Sequence, residues 1–211
     1  MAVFTTLAVA GAITQARTHA TAAAVPSHPS LIPLYLSLIV AEWALVLYVR
    51  IGIRRTATTI SDLLGDAIGT RRKLVTDILL GIGVWGAWAL IELAWTHWWG
   101  ASSGVAVRTF LARRPEETVV WIALSASAGF AEELAFRGYL QRQFTALTGS
   151  AALALSMQAV LFGVSHGYQG LGACARITVF GILFGLLARW QRRLRPGIIA
   201  HALTDIIAGL A

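Results

Sequence analysis

The chain has 211 residues, room for one domain with a core, and 57% of them are hydrophobic against only 13% charged. Its mean hydropathy of +0.69 exceeds what a soluble globule needs and points to an integral, multi-pass membrane protein. The net charge of +7 is spread as Lys and Arg between apolar runs and lines no single face, which excludes a nucleic-acid partner and makes membrane lipids the expected surroundings. A single cysteine, Cys174, allows no intrachain disulfide and no thiolate metal cluster.

Residues 1–14 are apolar, short for a span, and lack the cationic start of a signal peptide. With Pro26 and Pro29 following, residues 1–30 are expected to form an N-terminal arm and linker. Apolar stretches then recur at about 31–49, 74–99, 118–140, 150–167, 171–190 and, shorter, 197–211. This predicts an all-α, polytopic transmembrane helical bundle of about six spans, divided into N-terminal helices and loops (31–117) and a core (118–211).

Twelve of the 17 Lys and Arg gather in three regions on one side of that topology: Arg50 to Lys73, Arg137 with Arg142, and Arg189 to Arg195. That side is expected to be cytoplasmic, with Arg108, Arg113 and Arg114 as the external exception. Trp95, Trp98, Trp99, Trp121 and Trp190, near span ends, suit an aromatic belt. Glu42, Asp77 and Glu92, in or near the first two spans, are read as interhelical or interfacial groups. The small-x-x-x-small pattern Gly181 to Gly185 predicts close packing of the fifth span inside the chain.

Glu132, Glu133 and Arg137 interrupt the third span. Charge at membrane depth is costly and persists where it faces protein or a water cavity and is paired. Residues four apart share a helix face, so Glu133 and Arg137 can pair while Glu132 points along a neighbouring face. His166 closes Phe162-Gly163-Val164-Ser165-His166, and His201 and Asp205 stand four apart in the last span. His97, among tryptophans, is read as interfacial. If the third and fourth spans turn near Thr148-Gly149, Glu132 lies 16 residues before the turn and His166 17 after it, so both stand roughly 24–26 Å along their helices. This requires the third helix to run on through about Phe144. His201 stands only five residues after Pro196, so the preceding loop must climb back into the protein or the last helix must tilt.

Taken in order, Glu-Glu-x-x-x-Arg, Phe-x-x-x-His and His-x-x-x-Asp resemble the CAAX protease and bacteriocin-processing family of intramembrane proteases, of which the type II CAAX prenyl endopeptidases are part, over about 118–211. The resemblance implies that Glu132 and His166 activate the attacking water, that Glu133 and Arg137 accompany them, and that His201 and Asp205 stabilise the tetrahedral intermediate. That family commonly places Asn where Asp205 stands. Asn can donate to an oxyanion, whereas Asp must be protonated to do so or else orients His201.

Peptide hydrolysis needs an activated water, a proton for the leaving amine and support for the oxyanion. Glu132, His166 and His201 could supply these directly, or could instead ligate Zn2+ with one open position; both mechanisms stay open. The expected substrate is a membrane-associated protein or peptide, such as a lipidated C-terminal tail or a leader peptide, and the expected location a bacterial plasma membrane. Two alternatives compete. One is a non-enzymatic membrane scaffold whose ionisable cluster fixes helix packing, the other a proton-coupled transporter using Glu42 and Glu92.

Overall fold

The computed structural model describes residues 30–54, 57–65, 71–100 and 111–210. The expected arm at 1–30, Ser30 apart, lies outside the described residues, as do Arg55 and Arg108. The described residues form seven α-helices and no strand: α1 (Ile32–Ile53), α2 (Ile60–Leu64), α3 (Arg71–Trp99), α4 (Pro115–Thr148), α5 (Ala151–Ser165), α6 (Leu171–Gln191) and α7 (Arg195–Leu210). Each of the six expected apolar stretches is a helix. Four of them, α1, α3, α4 and α6, are long and apolar enough to cross a membrane. Helix α5 is apolar with 15 residues, and α7 has 16. The short α2, in the loop between the first two spans, was not expected; Thr59 and Asp62 cap it reciprocally through side chain and backbone.

The third span runs unbroken to Thr148, past the Phe144 that the depth argument requires. Gly149, at φ +67°, takes the left-handed position that closes the helix, and the Ser150 side chain caps the start of α5. Within α4 the chain widens into π-helical turns over Glu133–Leu140, where the Gln141 N–H reaches back to the Phe136 carbonyl. Such widenings recur at functional sites because they change the direction in which neighbouring side chains leave the helix.

Helices α1 and α4 run side by side in the same direction. Contacts climb together from Tyr35 on Trp121, through Trp43 on Phe130, to Tyr48 near Tyr139. At their start both carboxylate oxygens of Glu117 accept backbone N–H bonds, from Leu31 and Arg113. Helices α5 and α6 form an antiparallel hairpin in which Gly163 faces Thr178 and Cys174, and Gly181 faces Ala159. The small-residue pattern of α6 therefore serves packing inside the chain, as expected; a Cβ on Gly181 would lie 2.8 Å from the Ala159 Cα. Gln158 and Gln141 donate side-chain hydrogen bonds to the Gly181 and Gly185 carbonyls in the same seam.

The climb that His201 needs has a physical cause in α3. Asp77 is fully buried and holds Arg193 (2.6 Å) and Arg195 (2.8 Å). The Leu194 N–H donates to the Leu64 carbonyl, and Gly65, at φ +73°, lets the chain pass against Arg192 and Arg193. These contacts fold the loop inward, so that α7 starts inside the protein. It then crosses α4 where Gly129 leaves no side chain: a Cβ there would come within 2.9 Å of the Ala202 backbone nitrogen. That close approach sets His201 beside Glu132 and Glu133.

Candidate functional site

Glu133, in the first π-helical turn, is fully buried. Its Oε1 meets Arg137 Nη1 at 3.2 Å and His201 Nδ1 at 3.1 Å, so one carboxylate oxygen serves two cationic or N–H partners. Its Oε2 lies against Gly197 in the first turn of α7, where a Cβ would stand 3.1 Å away. The positive end of α7 favours a carboxylate there.

Arg137 is buried too, and its guanidinium lies 4.2 Å from the centre of the Phe162 ring, with Phe136, Phe180 and Phe184 at about 6 Å. Aromatic faces carry negative charge and receive a cation in place of water. The guanidinium has one carboxylate and a wall of rings, an arrangement suited to fixing helix geometry.

His201 is held at both ends. Its Nδ1 faces Glu133, while its Nε2 has Glu132 at 3.5 Å and Asp205 at 3.7 Å. The Nδ1 contact has hydrogen-bond length; the two Nε2 contacts are longer than an N–H···O bond prefers. The ring is therefore anchored through Nδ1, and its Nε2 stands near two carboxylates without being tied to either. Glu132 is partly exposed, unlike its neighbour Glu133.

His166 ends α5 and does not share these contacts. Its Nδ1 stands 2.9 Å from the Phe162 carbonyl and 3.3 Å from the Ser165 hydroxyl. A carbonyl only accepts, so this contact assigns the proton to Nδ1 and leaves Nε2 as an acceptor lone pair. The ring reaches the rest of the cluster through Phe162, which contacts His166 at 4.9 Å and His201 at 6.0 Å between ring centres.

The structure thus brings Glu132, Glu133, Arg137, His201 and Asp205 into direct contact and sets His166 one ring away. Among the described residues no group of three or more His, Cys, Asp or Glu stands together as a metal-ligand set. Glu132, His166 and His201, the zinc candidates, are not gathered as such a set, His166 being turned to the Phe162 carbonyl.

Two groups outside the motifs also belong to this neighbourhood. The charges of Glu132, His201 and Asp205 act on Glu42 of α1, whose Oε2 is buried without a hydrogen-bond partner among the described residues. The charges of Glu132, Asp205 and Glu42 act on the phenol of Tyr168. An acid in the middle of an apolar span is a visible signal for Glu42; Tyr168 carries only its place two residues after His166. By contrast, Asp77 and Glu92 are interhelical partners as expected, Glu92 being paired with Arg176 across α3 and α6. His97 is exposed at the end of α3.

Residues 114–207 match the type II CAAX prenyl endopeptidase Rce1-like family. No curated protein and no solved structure matches the chain significantly. The matched segment runs from the start of α4 into α7 and contains Glu132, Glu133, Arg137, His166, His201 and Asp205. Over residues 114–207 this integral membrane protein is therefore similar to the type II CAAX prenyl endopeptidase Rce1-like family.

Proposed function

We propose that the protein is an intramembrane endopeptidase that hydrolyses a peptide bond in a membrane-associated substrate with a water activated by Glu132 and His166. The observation that carries this reading is the division of labour between adjacent carboxylates. Glu133 is buried and engaged through Oε1 by Arg137 and His201, whereas Glu132 keeps an accessible carboxylate 3.5 Å from His201 Nε2.

In the proposed reaction Glu132 takes one proton from water as its oxygen attacks the carbonyl carbon, while the Nε2 lone pair of His166 accepts a hydrogen bond from that water and holds it. The resulting oxyanion receives the Nε2–H of His201, which Glu133 orients from the far side of the ring. Glu132 then returns its proton to the leaving nitrogen as the C–N bond breaks, giving an acid and an amine. Asp205, 3.7 Å from the same Nε2, supports the charge on His201 and keeps the ring directed at the site.

The family description makes a prenylated C-terminal tail the first substrate class to try, with the lipid anchored beside the apolar outer faces of the bundle. The alternative of a non-enzymatic scaffold is favoured only for Arg137, which is walled in by rings. The test is cleavage of an internally quenched, farnesylated CAAX peptide by purified protein in liposomes. Wild type should cleave it, and Glu132→Gln, which preserves shape but cannot accept a proton, should lose on the order of 10²- to 10⁴-fold in kcat. Equal rates would remove Glu132 as the base and restore the scaffold reading.

A further inference from the structure

Resting on the proposed hydrolysis, we infer that the hydroxyl of Tyr168 is a second hydrogen-bond donor to the carbonyl oxygen of the bond being cleaved, acting beside His201 Nε2–H. An oxyanion formed in acyl transfer is stabilised by preorganised donors, and losing one commonly costs 10²- to 10³-fold in rate. The cluster is poor in them. Glu42, Glu132, Glu133 and Asp205 accept when ionised, Arg137 is turned onto aromatic rings, and the Nδ1–H of His201 is committed to Glu133. One donor, His201 Nε2–H, is left, and a second is missing from the motif residues.

Tyr168 has the properties of the missing group. It lies in the turn Gly167–Gln169, between α5 and α6, with its ring stacked on His166 at 6.3 Å and 30°. That contact ties its position to the residue proposed to hold the water. The Gln169 side-chain N–H donates to its hydroxyl oxygen at 3.0 Å, occupying an acceptor position and leaving the O–H proton to be given away. Carboxylates from three different helices, Glu42 of α1, Glu132 of α4 and Asp205 of α7, act on the phenol. The residue is 37% exposed, so a substrate can reach it. An ordinary phenol keeps its proton at neutral pH and needs no activation to donate.

The experiment compares wild type, Tyr168→Phe and Glu132→Gln in liposomes with the quenched farnesylated peptide. Phe keeps the ring on His166 and removes only the hydroxyl. The expected result is a fall in kcat of about 10²-fold with KM changed less than threefold. Affinity for a phosphinic peptide of the same sequence, a tetrahedral anion, should fall by a similar factor, and affinity of the uncleaved peptide for the Glu132→Gln background should not change when Tyr168→Phe is added. A wild-type kcat for Tyr168→Phe, or a change confined to KM, overturns the inference while the silence of Glu132→Gln leaves the hydrolytic reading standing. Inactive wild type, or active Glu132→Gln, overturns both.

Discussion

Two buried ionic clusters lie within this bundle, and their charge ratios differ. At the root of α7 one carboxylate, Asp77, is matched by two guanidiniums, Arg193 and Arg195. At the centre of the bundle Glu132, Glu133, Asp205 and the nearby Glu42 share two cationic partners, Arg137 and His201. In the first cluster cations outnumber the carboxylate, and the cluster pins a loop. The second has carboxylate to spare, which is costly for stability and useful for proton transfer. Both sit inside a membrane protein, so burial alone does not tell a lock from a site; surplus does.

The Glu133 pair should break most expensively. Glu133→Gln leaves Arg137 buried with only rings around it and should cost about 3–5 kcal/mol, read as a lower denaturation midpoint in detergent. Replacing both partners, as in Glu133→Gln with Arg137→Met, should recover most of that stability without restoring activity, because the His201 anchor is still weakened. Recovery of activity along with stability would mean that Glu133 serves packing alone.

Next comes the α5–α6 seam, at whose end His166 stands. A Cβ on Gly163 would meet Thr178 and the backbone of Cys174, so Gly163→Ala should pry α5 from α6 at a cost of about 1–3 kcal/mol. His166 closes that same helix, so the rate should fall as well. Stability measured by thermal unfolding and the initial rate should drop together.

The smallest effect lies outside the membrane spans. The Thr59 hydroxyl and then the Thr59 backbone N–H hold the Asp62 carboxyl below the usual carboxylate range. A carboxyl lowered in the folded state stabilises above its unfolded value and loses that contribution as pH falls through the folded one. Amide protection factors in α2, corrected for the intrinsic pH dependence of exchange, should therefore fall only in the acid range. Asp62→Asn should remove that pH dependence and leave proteolysis unchanged, since α2 touches neither cluster's carboxylates.

Much of this architecture was legible in the apolar runs. The helices, the turn at Gly149 and the continuation of α4 past Phe144 follow from apolar length and from glycine as a stop signal. The pairing of Glu133 with Arg137 was legible from their spacing, and it survives although the helix there is π rather than α. What was not legible depends on distant partners. Arg195 is 118 residues from Asp77, and their contact, together with the Leu194 N–H bond to the Leu64 carbonyl, folds inward the loop that leads into α7. Glu42 has no acid or base at helical spacing on its own span, so nothing local names its partners. Its place beside Glu132 arises from the parallel packing of α1 on α4.

Rate per folded molecule and unfolding midpoint, measured for Glu132→Gln and Asp77→Asn side by side in the same liposomes, test whether surplus carboxylate marks the site and surplus cation the lock. Opposite signatures are expected: Glu132→Gln melts like wild type and loses on the order of 10²- to 10⁴-fold in kcat, while Asp77→Asn melts lower yet keeps most of its activity per folded molecule. A Glu132→Gln protein that cleaves at the wild-type rate, or an Asp77→Asn protein that is silent at full stability, would contradict that expectation.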